Sequence, residues 1–466
     1  MIDRGSILDV PGPTGRADAP VRLPSRRVVL PAALWAAFGA NGAVIVWLWL
    51  KGGGVTAVPN TAELLTSLGR ITGLLGAYLA LVQVLLLARL PPLERLVGFD
   101  RLTVWHRRNG KAVLLLLLAH TVLVTVGYAG ADKLSVPKEI SSLLHDYPGI
   151  ITATVGTALL CLVVVSSLVI VRRRLPYELW QLVHLTAYAG IALAWSHQIP
   201  TGNEFTTAHT AARYWTALIV VTLALLVAYR IAVPLARGLA LGLRVSEVRE
   251  EVPGVVSLVM TGRRIDRVRP RSGQFLLWRF LTPGRALQAH PFSLSRAPDG
   301  RSLRITVKDV GRFTAGLRDV KPGTRVFAEG PFGTFTDAAR RRPRAVYIAG
   351  GIGITPIRAM LETAPGAGGD IDVVYRVVDE RDAIFRDELE ALALARGARL
   401  TFVAGDHRDA ACRDLLSPEH LRSLVDDIAD RDVYVCGPPG MADRVVANLR
   451  ELGVPRRHIH LERFAL

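Results

Sequence analysis

The sequence predicts a six-helix transmembrane bundle, then an antiparallel β-barrel domain, then an α/β domain with a parallel sheet. Three observations predict it. Six apolar runs of about spanning length occupy the first half of the 466-residue chain. Short runs rich in Val, Leu and aromatics follow, separated by Gly and Pro. From about Arg344 the pattern becomes strand, Gly-rich turn, helix, strand. The expected boundaries are a flexible tail over 1–30, helices over 31–236, the barrel over 240–340 and the α/β domain over 341–466.

Composition agrees with a chain that is part membrane, part water-soluble. Half of the residues are hydrophobic and the mean hydropathy is +0.31. A net charge of +17 raises the question of nucleic acid. The arginines, however, concentrate in loops between apolar runs and across the later half, which argues against that class. Cys161, Cys412 and Cys436 have neither metal-ligand spacing nor a disulfide framework, as expected of thiols in a reducing compartment.

Residues 1–30 are rich in Pro, Gly and Arg and read as a mobile tail. The apolar runs are Pro31–Leu50, Leu64–Leu90, Ala112–Ala129, Gly149–Val171, Leu179–Ile199 and Tyr214–Leu235. Pro31–Leu50 has about the length of a spanning helix, and no clear small-x-small site follows it, so it reads as a span and not as a cleaved signal. Arg89, Arg95, Arg101, Arg107, Arg108 and Lys111 fill the loop between the second and third runs, and Arg172, Arg173 and Arg174 the loop between the fourth and fifth. Arg22, Arg26 and Arg27 precede the first. The excess of positive charge on one side predicts a multi-pass cell-membrane protein with both termini in the cytosol.

Two of the helices carry histidine pairs. One, over Thr103–Ala129, holds His106 and His120; the other, over Leu179–Ile199, holds His184 and His197. The first pair is 14 positions apart. At 1.5 Å per residue that is roughly 21 Å, and the two rings return to within about 40° of one face. The second pair is 13 apart, which is roughly 20 Å but leaves about 140° between the rings on an ideal helix. Overwinding near Gly190, or a large tilt, is the expected remedy. One histidine from each helix at each of two levels is an arrangement that ligates two stacked haems from both axial sides. Ionisable side chains in spanning helices are rare and usually functional. His106 and His184 would share the cytosolic level, and His120 and His197 the outer one.

Arg70, within the second run, has two readings: an arginine snorkelling to the interface, or a cation at the outer haem propionates or the terminal acceptor. His145 and His209 read as solvated loop histidines, with proton or metal transfer as the alternative.

In the later half, Val255–Met260, Gln274–Phe280 and Leu303–Lys308 read as barrel strands. Ala345–Ala349, Ile371–Val377 and Val433–Cys436 read as buried parallel strands, and Glu388–Arg396 as a helix. His290-Pro-Phe-Ser-Leu-Ser295 ends a barrel strand. Pro291 stiffens it, Phe292 offers a ring and Ser293 a hydroxyl, which is what a flavin needs beside it; core packing is the plainer alternative. Lys308, Gly311 and Thr314 offer charge, close backbone approach and a hydroxyl to the flavin's phosphates. Ala349-Gly-Gly-Ile-Gly-Ile-Thr-Pro356 follows a strand and opens a helix, so that backbone N–H groups and the helix dipole can hold a pyrophosphate. Gly351 and Gly353 permit close approach; Thr355 suits a cap and Pro356 a first helical position. Cys436-Gly-Pro-Pro-Gly-Met441 ends the last parallel strand, where open α/β sheets bind ligands. Phe464, near the chain end, either covers a flavin face or packs as a terminal aromatic. Arg376 and Arg381 are candidates for a nucleotide 2′-phosphate, which favours NADPH slightly; pairing with Asp379 or Glu380 is the competing reading.

From about Leu64 to Leu466 the chain resembles the NADPH oxidase and ferric reductase superfamily. The order is that family's: the two histidine pairs, HPFSLS, GPFGTF at 330–335, GGIGITP, CGPPGM and a terminal aromatic. The resemblance implies two haem b groups, FAD and NAD(P)H. It implies His106, His120, His184 and His197 as the metal ligands. His290, Pro291, Phe292, Ser293, Lys308, Gly311 and Thr314 would contact FAD. Gly350, Gly351, Gly353, Ile354, Thr355, Pro356, Cys436, Gly437 and Pro438 would contact the nucleotide. Ser293, Cys436, Phe464 and Arg70 would lie nearest the electron-transfer chemistry. Family members often place an aromatic side chain between the haems; here Gly190 falls near that level, with Tyr188 and Trp195 as possible substitutes. The expected activity is transfer of electrons from cytosolic NAD(P)H through FAD and two haems to an outer-side acceptor, oxygen or ferric iron. An electron-transfer subunit serving a separate protein is the alternative.

Overall fold

The computed structural model describes residues 26–463, apart from 173, 176, 207, 287, 365–368, 407, 410, 411, 413 and 414. Most of the expected tail, and Phe464, lie outside the described residues. The chain forms two compact units: Met1–Leu87, Pro91–Val97 and Leu102–Val220 make the first, and Ala88–Leu90, Gly98–Arg101 and Val221–Leu466 the second.

The first unit is helical. Its main helices are α1 (Arg26–Lys51), α2 (Thr61–Leu86), α3 (Phe99–Ala131), α4 (Val136–Asp146), α5 (Ile150–Ser167), α6 (Tyr177–Trp195) and α7 (His209–Val227). Among the described residues four stretches are long and apolar enough to cross a membrane: Thr61–Leu86, Arg101–Ala131, Ile150–Ser167 and His209–Leu241. Helices also stand at the first and fifth expected runs. In α6, Glu178, Gln181 and His184 interrupt the apolar character of a helix only 19 residues long. α2 starts where the Asn60 side chain accepts the Glu63 N–H at 3.0 Å. α7 continues through a π-helical turn, Ala228–Ala232, into α8 (Val233–Leu241). Pro234 lacks an N–H and crowds the carbonyl four residues back, which lies inside that widened turn. Ile45, Tyr78, Phe205, Trp215 and Ile219 form a core. Leu115, Val122, Ile151 and Leu182 are each at least 60% exposed, an outward apolar face suited to lipid.

α5 and α6 approach closely because both carry glycine at the crossing. A side-chain carbon on Gly156 would stand 2.6 Å from the Gly190 carbonyl oxygen, and one on Gly190 would stand 3.1 Å from that of Gly156. Gly190 thus serves helix packing.

The second unit has two sheet systems. β1 (Arg244–Val252), β2 (Val255–Thr261), β3 (Phe275–Phe280), β4 (His290–Ser293), β5 (Ser302–Lys308) and β6 (Val326–Phe332) form two antiparallel three-stranded sheets, ordered β1-β2-β5 and β4-β3-β6. Isolated bridges, Leu294 to Ile305 and Arg244 to Arg325, join them. The expected antiparallel strands are therefore present, as two bridged sheets. β4 is an edge strand, consistent with Pro291, which has no donor for a second ladder. Leu258, Met260, Leu276, Trp278, Phe280 and Ile305 pack between the sheets with no exposed surface. Arg89, in the short segment Ala88–Leu90 of this unit, pairs with Glu329 of β6 at 2.8 Å.

β7 (Ala345–Gly350), β8 (Ile371–Val377), β9 (Arg399–Ala404), β10 (Asp432–Gly437) and β11 (Ile459–Arg463) form a wholly parallel sheet ordered β11-β10-β7-β8-β9. α9 (Ile354–Thr363), α10 (Arg386–Arg396), α11 (Pro418–Leu424) and α12 (Pro439–Glu451) accompany it. Every residue of β7 and β10 is buried, as expected of central parallel strands. The chain runs outward one way through β8 and β9 and returns through β10. Its direction reverses between β7 and β10, the kind of switch point at whose strand carboxyl ends open α/β sheets bind ligands.

Candidate functional site

In the first unit the four histidines meet in two pairs. The ring centroids of His106 and His184 are 6.1 Å apart, and those of His120 and His197 are 6.2 Å apart. Two imidazoles bonded to opposite faces of one metal ion, at about 2 Å per bond, place their centroids roughly 6 Å apart. The surrounding polar groups select the tautomer. His120 Nδ1 faces the Gly69 carbonyl oxygen at 2.8 Å and His106 Nδ1 that of Gln83 at 3.2 Å. A carbonyl only accepts, so Nδ1 carries the proton and Nε2 keeps its lone pair for a metal. His184 Nδ1 lies 3.4 Å from the Ser167 hydroxyl, and its ring stacks on Trp180 at 4.9 Å. Gly73 makes room for the His120 ring: a side-chain carbon there would stand 2.5 Å from His120 Nδ1. Among the described residues no three His, Cys, Asp or Glu side chains gather to hold an ion by themselves. Paired imidazoles at this spacing, with Nε2 free, would suit an iron whose other four ligands come from a macrocycle.

The angular mismatch on the second helix has a simple cause. α6 ends at Trp195, and His197 lies in the turn that follows. The expected overwinding near Gly190 is not what aligns the rings; the helix stops two residues short. Ser196 holds the break, with its hydroxyl 2.5 Å from that of Thr152. Of the possible substitutes for an aromatic between the levels, Tyr188 is exposed and Trp195 half-buried.

Arg70 is held at its guanidinium by polar groups outside the long helices. Its Nε donates to Glu204 Oε1 at 2.8 Å and its guanidinium to the Gly52 carbonyl at 3.0 Å, with Glu204 buried. His145 and His209 are exposed. Glu204 had no sequence signal beyond being an acid near an apolar run that must compensate a membrane arginine.

In the second unit β4 carries the expected flavin-side residues. His290 and Phe292 share one face, as alternate residues do. Both stack on Phe313, His290 at 3.7 Å and Phe292 at 6.5 Å between centroids. Pro291 is exposed and Ser293 buried. Lys308 is exposed at the end of β5, and the space beside Gly311 is open. The Thr314 hydroxyl accepts the N–H groups of Val310 and Gly311 at 3.0 and 3.1 Å, closing the turn it belongs to.

The Gly-rich turn follows β7 as a tight 3-10 turn, Gly351–Gly353, and α9 starts at Ile354. Gly351 has φ +51°, and nothing lies within 4 Å of where its side chain would be, so a ligand can come close. Gly353, not Thr355, is the N-cap. Thr355 instead donates to the Ile352 carbonyl at 3.0 Å, and Pro356 falls third in the helix because α9 already starts at Ile354. Gly437 and Gly350 touch across the switch point: a side-chain carbon on Gly437 would lie 3.2 Å from Gly350 Cα. Cys436 is wholly buried, and burial pushes its thiol well up, so it is a neutral thiol and not a thiolate nucleophile. Arg376 pairs in register with Gly350 beside the turn, and its guanidinium donates to the Val403 carbonyl at 3.2 Å and to that of Val377. Arg381 pairs with Asp379 at 2.6 Å. The Tyr375 hydroxyl, which the sequence did not single out, donates to the Gly351 carbonyl at 3.2 Å.

Residues 72–195 match the family described as the ferric reductase like transmembrane component, and residues 347–447 match the oxidoreductase NAD-binding domain. A ferredoxin–NADP reductase B of Sorangium cellulosum is 34% identical over 193 residues, 37% of this chain and 77% of that protein. The ferredoxin reductase component of a 3-ketosteroid-9-alpha-monooxygenase of Mycolicibacterium smegmatis is 34% identical over 235 residues, 48% of this chain and 65% of that protein. The chain thus spans just under two thirds of the length of this second relative. The flavohem-like FAD/NAD-binding domain of a nitric oxide dioxygenase from Vibrio cholerae aligns with 26% identity and a TM-score of 0.40, over 48% of this chain and 98% of that one.

Proposed function

The chain belongs to the NADPH oxidase and ferric reductase superfamily, and from that premise we propose that it moves electrons from cytosolic NAD(P)H to an acceptor on the outer side of the cell membrane. It is a membrane oxidoreductase with a reductase half that binds FAD and NAD(P). The proposal adds two haem b groups, on His106 with His184 and on His120 with His197, a six-helix bundle with both termini cytosolic, and oxygen or ferric iron as acceptor. The single observation that carries it is the pair of imidazole couples at two levels, with centroids 6.1 and 6.2 Å apart.

When bound, the flavin turns a two-electron donor into a source of single electrons, and the haem irons pass single electrons across the apolar interval. The chain's own residues hold and orient. The Gln83 and Gly69 carbonyls hold the Nδ1 protons of His106 and His120, leaving each Nε2 as a metal ligand. The N–H groups at the start of α9 offer a site for the nucleotide's pyrophosphate. Buried Cys436, uncharged, adds no charge beside the point where Gly350 and Gly437 meet. Glu204 fixes the Arg70 guanidinium, a positive charge for the outer haem propionates or for an anionic product.

An absorption spectrum of the purified protein, followed by its NAD(P)H-dependent activity, tests this reading. A Soret band that reddens on reduction by NAD(P)H is expected; a spectrum with flavin alone removes the haem assignment. Cytochrome c reduction that superoxide dismutase suppresses identifies oxygen as acceptor, and ferrozine colour identifies ferric iron. The two relatives, both reductases of ferredoxin, favour a second reading, in which the chain feeds a separate protein. Steady NAD(P)H oxidation by the purified chain alone eliminates it.

A further inference from the structure

Glu388, in the first turn of α10, is the meeting point of an ion network that no part of the reading above uses. Its two carboxylate oxygens each accept a hydrogen bond from Arg304 at 2.8 Å, a bidentate pair. Oε2 also accepts Arg358 Nε at 2.8 Å, and Arg249 of β1 reaches Oε1 at 3.2 Å. Arg304 lies on β5 among the antiparallel strands, and Arg358 on α9 beside the parallel sheet; they are 5% and 6% exposed. Two guanidiniums that cannot lose their charge are thus buried close together, one from each part of the unit. The Glu388 carboxylate is what lets them coexist.

The network grips the segment that leaves β4. Arg304 donates to the Ser295 carbonyl at 3.0 Å. Arg358 pairs with Glu362, whose carboxylate accepts the Ala297 N–H at 2.7 Å. The network also reaches the Gly351 turn. The Arg304 guanidinium lies 4.7 Å over the ring of Phe385, a non-glycine residue with φ 62° at the entry to α10. The preceding Ile384 N–H donates to the Tyr375 hydroxyl at 3.2 Å, and that hydroxyl donates to the Gly351 carbonyl.

We propose that Glu388 is a positioning residue for hydride transfer: by neutralising Arg304 and Arg358 it holds the segment after β4 in register with the Gly351–Gly353 turn. This rests on the reading that FAD lies along β4 and the nucleotide on that turn. Removing the carboxylate does more than delete a link. It leaves Arg304 without its carboxylate beside Arg358, whose remaining partner is Glu362, and the excess positive charge pushes the two segments apart.

The test uses the full chain, purified with its flavin, as wild type, Glu388→Gln and the charge-balanced double variant Glu388→Gln/Arg358→Gln. Three quantities are read: hydrogen exchange at the amides of residues 294–297, bound flavin, and stopped-flow flavin reduction at varied NAD(P)H. For Glu388→Gln, exchange at Ala297 rises about tenfold. The saturating rate of flavin reduction falls roughly 10- to 100-fold, the cost of a misplacement of about an ångström. Flavin content and the nucleotide concentration at half-saturation stay within about twofold of wild type. The double variant returns both exchange and rate to within about threefold of wild type. Unchanged exchange and rate in Glu388→Gln overturn the proposal. So does a double variant that stays slow, or that fails to fold when Glu388→Gln itself fails. Wild-type flavin that NAD(P)H does not reduce overturns the functional reading instead, and the exchange measurement still decides the role of Glu388.

Discussion

The carbonyl oxygen of Cys436 lies 2.2 Å from where a side-chain carbon on Gly353 would stand. The turn after β7 and the end of β10 therefore meet with room for hydrogen only, at the point where the sheet reverses its direction. Gly353→Ala must push them apart, an overpacking cost of about 1–3 kcal/mol. The expected result is an apparent KM for NAD(P)H raised about tenfold with bound flavin unchanged. Steady-state kinetics with ferricyanide as acceptor measure it. An unchanged KM contradicts a nucleotide site at this crossing.

Glu204 is buried and its partner Arg70 half-buried, and breaking one side leaves a poorly compensated charge. Glu204→Gln should lower stability on the order of 3 kcal/mol, an apparent Tm fall of about 6 °C or more. Arg70→Met/Glu204→Met should recover most of that Tm. If Arg70 also serves the outer acceptor, the double variant still reduces the acceptor slowly while NAD(P)H reduces its flavin at the wild-type rate. Recovery of both separates a purely structural pair from a functional one.

Burial would raise the Glu388 carboxyl, but the hydrogen bond from Arg304 and the charges of Arg358, Arg304 and Arg249 hold it at about 2, against an ordinary 4.5. Between those values the unfolded chain binds the proton and the folded chain does not. The stabilisation by Glu388 is therefore complete above pH 4.5 and is lost as pH falls toward 2. The flavin-release temperatures of wild type and Glu388→Gln should differ by a constant amount from about pH 7 to about pH 5 and converge below that. A gap that widens on acidification contradicts the assignment.

Arg376 stands in register with Gly350, beside the nucleotide turn. If it takes the 2′-phosphate, it must exchange the backbone carbonyls it now bonds for the ligand. Arg376→Ala should then lower kcat/KM for NADPH about tenfold and leave that for NADH nearly unchanged, the loss of one charge-assisted contact. An unchanged ratio between the two nucleotides removes that role and leaves Arg376 as a brace between β8 and β9.

What could be read in the sequence was what local periodicity carries. The spacing of His106 and His120 already put both on one helix face, and both rings do meet partners from elsewhere in the chain. The strands at 255–260, 303–308 and 371–377 could be read from their Val and Ile content and their Gly and Pro borders. The alignment of His197 could not, because α6 ends through contacts of Ser196 with Thr152, 44 positions away. Arg70 and Glu204 are 134 positions apart, and Arg304 and Glu388 84; no local pattern links residues that only the fold brings together. Gly190 was misread for a related reason. Its function is set by Gly156 on the neighbouring helix.

The central claim is that His120 and His197 hold one of two haems. The direct measurement is the haem-to-flavin ratio of purified His120→Leu, by pyridine haemochrome and flavin fluorescence. About two haems per flavin are expected in wild type and about one in the variant, which keeps its NAD(P)H-reducible flavin. A variant with the full wild-type complement of haem contradicts it.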